Sequence, residues 1–351
     1  MDKIKKITES INSSFSELPQ TKSSEPEPEL LQVLTANERI ERAKLQAIPN
    51  ALFSDIWLEG QICILFADTG VGKTILSVQI ADSISKGEPI QGFDMGAEPQ
   101  KVLYFDFELN DKQFEKRYCA DGWGNHYQFS DNLFMVNIDS NGFMPSGFKD
   151  FGEYALDKME KEIIKTGVRI IVVDNLTYLR HDNEKAKEAA ELIMKLKRLK
   201  QKHNLSLLIL THTPKRNPFE PISINNLAGS KMIANFVDSA FSIGKSAQNA
   251  DLRYIKNCKA RDSKDSDFIQ VCRIEKSNIL RFVWIGKAYE NEHIKQRGKT
   301  SKKELSEIAT ELRNEGKSLR QIAEITGKSH QTISRLLNPK TGESTADEED
   351  F

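Results

Sequence analysis

The stretch QICILFADTGVGKTILSVQIADSISKG, residues 61–87, decides the fold. It opens with an apolar run the length of a buried strand. Eight residues with a glycine-rich loop pattern follow, Ala67, Asp68, Thr69, Gly70, Val71, Gly72, Lys73 and Thr74, and then a pattern of helical period. A phosphate needs backbone N–H donors at close range, and Gly70 and Gly72 let the chain curl tightly enough to supply them. Lys73 then reaches the β- and γ-phosphates and Thr74 ligates Mg²⁺, so the expected ligands are ATP and Mg²⁺. Ala67 stands where the GxxxxGK[ST] pattern has its first glycine, a position that tolerates another small side chain.

Outward from this loop, short aliphatic or β-branched runs alternate with helical patterns from about residue 50 to 286. They are QICILF, KVLYFDF, LFMVNI, VRIIVV, LSLLIL, DSAFSIG, LRYIKNC, FIQVCRIE and ILRFVWIG. Helix-length spacing of the early runs predicts parallel βαβ units, and close spacing of the last ones predicts antiparallel hairpins. The fold class is therefore α/β, a P-loop architecture with a central, mostly parallel sheet, plus a small all-α unit. VRIIVVD ends in Asp174, where a carboxylate would sit at the strand's C-terminal edge beside Mg²⁺. KVLYFDFELN places Glu108 after another strand, fit to orient a water and accept its proton. Asp106 competes for that role, and Glu108 read alone also serves as a cap for a helix beginning near Asp111.

The stretch from Trp57 to about Gly286 resembles the RecA-fold ATPases of the plasmid RepA type, related to DnaB-type hexameric replicative helicases. VLYFDFELNDKQFEKR is similar to that family's second-strand motif, whose glutamate matches Glu108. THTPKR, residues 211–216, falls where the family carries a γ-phosphate sensor leading into a DNA-facing loop. The resemblance thus implies His212 as sensor and Lys215 and Arg216 as DNA contacts. The segment LAGSKMIANFVDSA from Leu227 follows, and KAR matches the Lys-x-Arg pair, Lys259 and Arg261, that reaches a neighbouring subunit's ATP. A homo-oligomer, in this family a hexameric ring, is implied. Read without the family, His212 is equally a loop histidine, and Lys259 with Arg261 a solvated strand-end pair.

Near the other end, SKKELSEIATELRNEG offers Ser301 and Glu304 as a capping box and Leu305, Ile308, Ala309 and Leu312 as an apolar stripe. SLRQIAEITGKSHQTISRLLNP follows, with Ser318 and Ser329 as caps, Ile322, Ala323, Ile333 and Leu336 inward and Gly327 in the turn. That spacing predicts a helix-turn-helix resembling the DNA-binding domains of resolvases and invertases. Ser329, His330, Gln331, Thr332 and Arg335 then face outward toward DNA. A small helical protein-interaction unit is the other reading.

The domain expectations are a disordered arm over 1–35, an ATPase domain over 36–286, a linker over 287–300, the helix-turn-helix over 301–339 and an acidic disordered tail over 340–351. The tail, ending in ADEEDF with Phe351, resembles tips that recruit replication or recombination proteins, although a merely solvated tail fits as well. At a formal net charge of -1 the bulk balance points to no nucleic acid, so DNA contacts must come from local basic groups. The four cysteines lack metal-ligand spacing, and no apolar run approaches a membrane span, which gives a cytoplasmic expectation with no membrane partner. Two functions follow. One is an oligomeric helicase or translocase serving replication or mobilisation of a plasmid or mobile element. The other is a DNA-bound ATPase switch regulating transposition, recombination or replication without unwinding. A nucleotide kinase is a minor third.

Overall fold

The computed structural model describes residues 33–120, 124–137, 142–176, 185–213, 216–227, 230–260, 268–276, 279–295 and 302–338. The chain divides into two units at Ile48 and Pro49. Of the arm expected over 1–35, residues 1–32 lie outside the described residues, and Thr35 is the N-cap of a helix, α1 (Ala36–Lys44). The Thr35 side chain accepts the Glu38 N–H while Glu38 reaches back to the Thr35 N–H, a capping box that satisfies two donors of the first turn. No residue of α1 is buried. It belongs to the first unit, so the sheet unit begins at Pro49 rather than at residue 36.

A short hairpin, β1 (Ala51–Phe53) and β2 (Trp57–Leu58), was not legible as strands but buries Leu52, Phe53 and Trp57. The nine apolar runs all become strands of one sheet. They are β3 (Ile62–Ala67), β4 (Val102–Asp106), β5 (Leu133–Asn137), β6 (Ile170–Asp174), β7 (Ser206–His212), β8 (Ser239–Lys245), β9 (Leu252–Ala260), β10 (Phe268–Lys276) and β11 (Leu280–Tyr289). Their spatial order is β11-β10-β9-β8-β3-β7-β6-β4-β5. Strands β8 through β5 in that order run parallel, and β9, β10 and β11 add antiparallel, as expected.

The two-residue period divides β3 between two cores: Ile62, Ile64 and Phe66 face one side, Cys63, Leu65 and Ala67 the other. The first side is covered by α4 (Phe151–Thr166), through Ala155, Met159 and Ile163, and by α5 (Lys185–His203), through Leu192 and Leu196. The second is covered by α2 (Lys73–Lys86), through Leu76, Ile80 and Ile84. The other α-helices among the described residues of this part are α3 (Asp111–Arg117) and α6 (Ser230–Phe236). The cysteines are free thiols, three of them buried.

The linker expected from residue 287 is corrected. Lys287–Tyr289 complete β11, and a 3₁₀ turn over Glu290–Glu292 follows. Glu290 is buried, accepting the Ile222 N–H at 2.7 Å and pairing with the Lys256 ammonium. Buried His293 meets Ser246 Oγ at 2.9 Å. A buried N–H and ammonium need these acceptors, so the polar composition marks satisfied interior groups rather than a solvated tether.

The last described segment forms three helices, α7 (Lys302–Asn314), α8 (Leu319–Thr326) and α9 (His330–Leu337). Ala309, Ile322 and Ile333 meet in a small core flanked by Leu312, Ala323 and Leu336. Ser318 closes a capping box with Gln321, and Ser329 caps α9 by accepting the Thr332 N–H. Gly327 turns the chain at φ 67°, a left-handed conformation that costs a glycine nothing. Ser301, Pro339 and the acidic tail through Phe351 lie outside the described residues. No described helix is long and apolar enough to cross a membrane.

Candidate nucleotide site

Four adjacent strands deliver the site to one sheet edge. In the register, Ala67 of β3 lies opposite His212 of β7, and Asp174 of β6 opposite Asp106 of β4. These are C-terminal strand ends, where parallel sheets leave a crevice for ligands.

The loop from Ala67 to Thr74 leaves β3 and turns into α2 at Gly72, whose φ is 107°. A Cβ there would approach the Phe282 ring at 3.0 Å and Ile274 at 3.1 Å, so conformation and space both require glycine. The Lys73 ammonium donates to the carbonyls of Ala67 at 2.9 Å and Asp68 at 3.2 Å. Burial lowers the Lys73 pKa, and the charges of Glu108, Asp174 and Asp68 oppose that shift. A positively curved amide loop with an inward ammonium fits a polyphosphate.

Asp174 is 1% exposed. Burial pushes its carboxyl up to about 7, against hydrogen bonding from Thr74 and Tyr104. Tyr104 donates to Asp174 Oδ2 at 2.8 Å, and its hydroxyl also meets Ser77 Oγ at 2.7 Å. Thr74 and Asp174 together offer two hard oxygens. That suits Mg²⁺, which takes one or two protein ligands and completes its shell with phosphates and water.

Glu108 follows β4 and caps no helix: Asn110 is the N-cap of α3, in a capping box with Gln113. Glu108 instead accepts from the Asn175 side-chain amide and stands 3.5 Å from His212 Nε2. Hydrogen bonding to His212, with further help from Asn175 and the Lys73 charge, holds its carboxyl below the usual range despite partial burial. It is therefore ionised. His212 Nδ1 lies 3.1 Å from the Lys73 ammonium. An ammonium only donates, so this nitrogen accepts, while Nε2 lies 2.9 Å from the Asn175 side-chain amide nitrogen that also serves Glu108. Asp106, the competing base, spends Oδ1 on the N–H groups of Glu108 at 3.0 Å and Leu109 at 2.9 Å. It shapes the turn that aims Glu108.

Other expected residues sit elsewhere. Arg216 is turned inward, its side chain 11% exposed, with Nε 3.6 Å from Asp68 Oδ2 and an Nη1 bond to the Glu220 carbonyl. The carboxylate of the phosphate loop and a backbone carbonyl of its own segment thus hold the Arg216 guanidinium. Lys259 bonds the Val237 carbonyl at 2.7 Å and the Ala234 carbonyl, at the C-terminal end of α6. There it answers helix-end carbonyls of its own chain. Lys215 and Arg261 lie outside the described residues. In the helical unit, His330, Gln331 and Arg335 are exposed, while Ser329 and half-buried Thr332 pair their hydroxyls at 2.9 Å within the α9 cap.

Three neighbours were missed. Tyr104, a polar-tipped residue inside a fully buried strand, and Asn175, directly after Asp174, carried faint signals. Arg253, whose Nε donates to the Val71 carbonyl of the loop at 3.2 Å, carried none.

A family model described as an AAA domain matches residues 25–218, more than half of the chain. The chain belongs to this family. The AAA domain accounts for the P-loop ATPase architecture, and a second model, a helix-turn-helix domain, matches residues 303–338. The AAA chain is also similar to a solved KaiC-like protein from the hyperthermophilic archaeon Pyrococcus horikoshii OT3. Identity is 14% and the TM-score 0.47, over 66% of this chain and 91% of that one. No curated protein matches it at a significant level.

Proposed function

We propose that this chain is an ATP-hydrolysing, DNA-binding protein, and that its ATPase works through Lys73, Thr74, Asp174, Glu108 and His212. The observation that carries the reading is the convergence of Glu108, His212 and Lys73 beside the phosphate loop. When bound, Mg²⁺–ATP supplies the γ-phosphoryl group and the metal's neutralisation of its developing charge. The loop amides and Lys73 would hold the phosphates, and Thr74 with Asp174 would hold the metal. Ionised Glu108 would orient a water and accept its proton as the water oxygen attacks the γ-phosphorus, the bond from that phosphorus to the bridging oxygen breaks and ADP leaves. His212, touching both Lys73 and Glu108, relays the state of the γ-phosphate to the segment after β7. Duplex DNA is taken by the helix-turn-helix through His330, Gln331 and Arg335.

The resemblance to RepA-type proteins supports coupling of hydrolysis to movement along DNA in an oligomeric ring, with Arg261 acting on a neighbour's ATP. The inward Arg216 and self-engaged Lys259 favour the second reading, a DNA-bound ATPase switch that does not unwind. A strand-displacement assay on forked DNA, run beside DNA-stimulated phosphate release, separates them. Unwinding supports the motor; stimulated hydrolysis without unwinding supports the switch; no hydrolysis under either condition removes both.

A further inference from the structure

The segment RNPFEPI, residues 216–222, touches the phosphate loop at one end and residues 290–295 at the other. At the loop end two side chains hold Asp68, the residue after Ala67. The Thr213 hydroxyl donates to Asp68 Oδ1, and Arg216 Nε stands 3.6 Å from Oδ2. The Thr213 N–H also reaches the Ala67 carbonyl at 3.3 Å. Ala67 and Asp68 are the same two residues whose carbonyls accept from the Lys73 ammonium.

The stretch between the two ends is stiff. Asn217 opens a turn closed by the Glu220 N–H donating to its carbonyl at 3.3 Å. The Asn217 side chain accepts the Phe219 N–H at 3.1 Å and donates to Glu220 Oε1 at 2.7 Å. Asn at the first position and proline at the second suit such a turn, and Pro218 and Pro221 each fix φ at about −65°. Phe219 and Ile222 are buried, which anchors the turn in the core. At the far end the Ile222 N–H donates to Glu290 at 2.7 Å, and the Lys295 N–H donates to the Pro218 carbonyl at 3.3 Å. Buried Tyr254 lies between. Burial raises the pKa of its hydroxyl, the Arg216 charge lowers it and the Glu290 charge raises it, so both ends of the segment act on one group.

We infer that residues 216–222 are a brace through which phosphate at Lys73 acts on residues 290–295, the chain between the sheet and the helix-turn-helix, with Arg216 as the positioning residue at the loop. The inference rests on the ATPase reading and adds its regulation. The Lys73 ammonium has three protons and three partners, the two loop carbonyls and His212 Nδ1. A phosphate takes at least one of these protons, so the loop carbonyls shift with Asp68 attached. A stiff turn passes that shift on to Glu290 and Lys295 instead of absorbing it. Arg216 also offsets the Asp68 charge, which would otherwise repel the phosphates.

Hydrogen exchange of the full chain, with and without the Mg²⁺ complex of a non-hydrolysable ATP analogue, reads this coupling. Ligand binding by itself stabilises the folded state and slows exchange. The brace predicts the opposite at the Ile222 and Lys295 N–H groups, where exchange should quicken about two- to thirtyfold as their bonds are strained. Arg216→Gln and Asp68→Asn should each bind the analogue and lose the quickening. Arg216→Gln should also weaken binding roughly two- to fivefold, and adding Asp68→Asn to it should restore that loss. If Arg216→Gln does not fold, Asp68→Asn alone decides. Exchange that is unchanged or slowed at both amides in the wild type, with the analogue bound, overturns the inference and leaves the ATPase reading intact. Quickening that survives in either variant overturns it too, because another route then carries the shift. Failure of the wild type to bind the analogue defeats the ATPase reading and this inference with it.

Discussion

His212 Nδ1 stands 3.1 Å from the Lys73 ammonium, so the end of β7 touches the cation of the phosphate loop directly. Each member of this contact group has a separable job. Glu108→Gln should bind ATP nearly as wild type while turnover falls by about 10²–10⁴-fold, because a positioned base is lost and the cradle is kept. Lys73→Ala should lose binding itself. Fluorescent-nucleotide titration and phosphate release measure the two. Normal turnover in Glu108→Gln would move the base role to another carboxylate.

Asp174 makes stability depend on pH. Its carboxyl, raised by burial from 3.8 to about 7, keeps its proton in the folded chain after the unfolded chain has lost it. Between about pH 4 and 7 the folded state binds more protons, so this group's contribution to stability falls as pH rises and is level above 7. Mg²⁺ needs the ionised form, so stabilisation by Mg²⁺ should grow as pH rises through 7. Melting temperatures across that range, with and without Mg²⁺, test both slopes. Asp174→Asn should flatten them, and unchanged slopes would assign the dependence to other groups.

Lys259 and Arg261 are separable by stability. Lys259→Ala should destabilise the fold by about 1–3 kcal/mol, since two carbonyls at the end of α6 lose a charged donor. If Arg261 completes a neighbour's site, Arg261→Ala should bind ATP, hydrolyse it poorly and melt as wild type. Mixed with Lys73→Ala, it should recover part of the activity, because some interfaces pair an intact cradle with an intact arginine. No recovery in verified mixed oligomers would place Arg261 within its own subunit's structure.

Truncation locates the end of the ATPase unit. A chain ending at residue 299 should keep basal hydrolysis and lose preferential duplex binding. A chain ending at 286 strips Glu290 from Ile222 and Lys256 and His293 from Ser246, and should melt well below it. Equal melting of the two would return residues 287–295 to a linker role. Within the helical unit, Ile333→Ala should cost about 2–5 kcal/mol, enough to unfold so small a core.

The nine strands, the parallel-then-antiparallel order of their pairing, the phosphate loop and the three C-terminal helices were all determined by the sequence itself. Their signals are local: apolar period two or 3.6, glycines where the chain turns, Ser318 and Ser329 at helix starts. Sequence order also sufficed to put Asp174 and Glu108 at strand ends.

Only the tertiary structure decided which side chains meet. The Lys73–His212 contact spans 139 residues, Glu108–Asn175 67, and Ile222–Glu290 68. No periodicity reports such partners. Glu290 looked like linker because acidity reads as solvation until the Ile222 N–H and Lys256 are brought against it. Arg216 and Lys259 looked like outward cations because a positive charge has no preferred partner until the fold presents the Asp68 carboxylate and the carbonyls of α6. The unmet oxygens of Asp82 and Tyr118 are visible only in the folded chain, since an unsatisfied hydrogen bond is a property of packing, not of sequence.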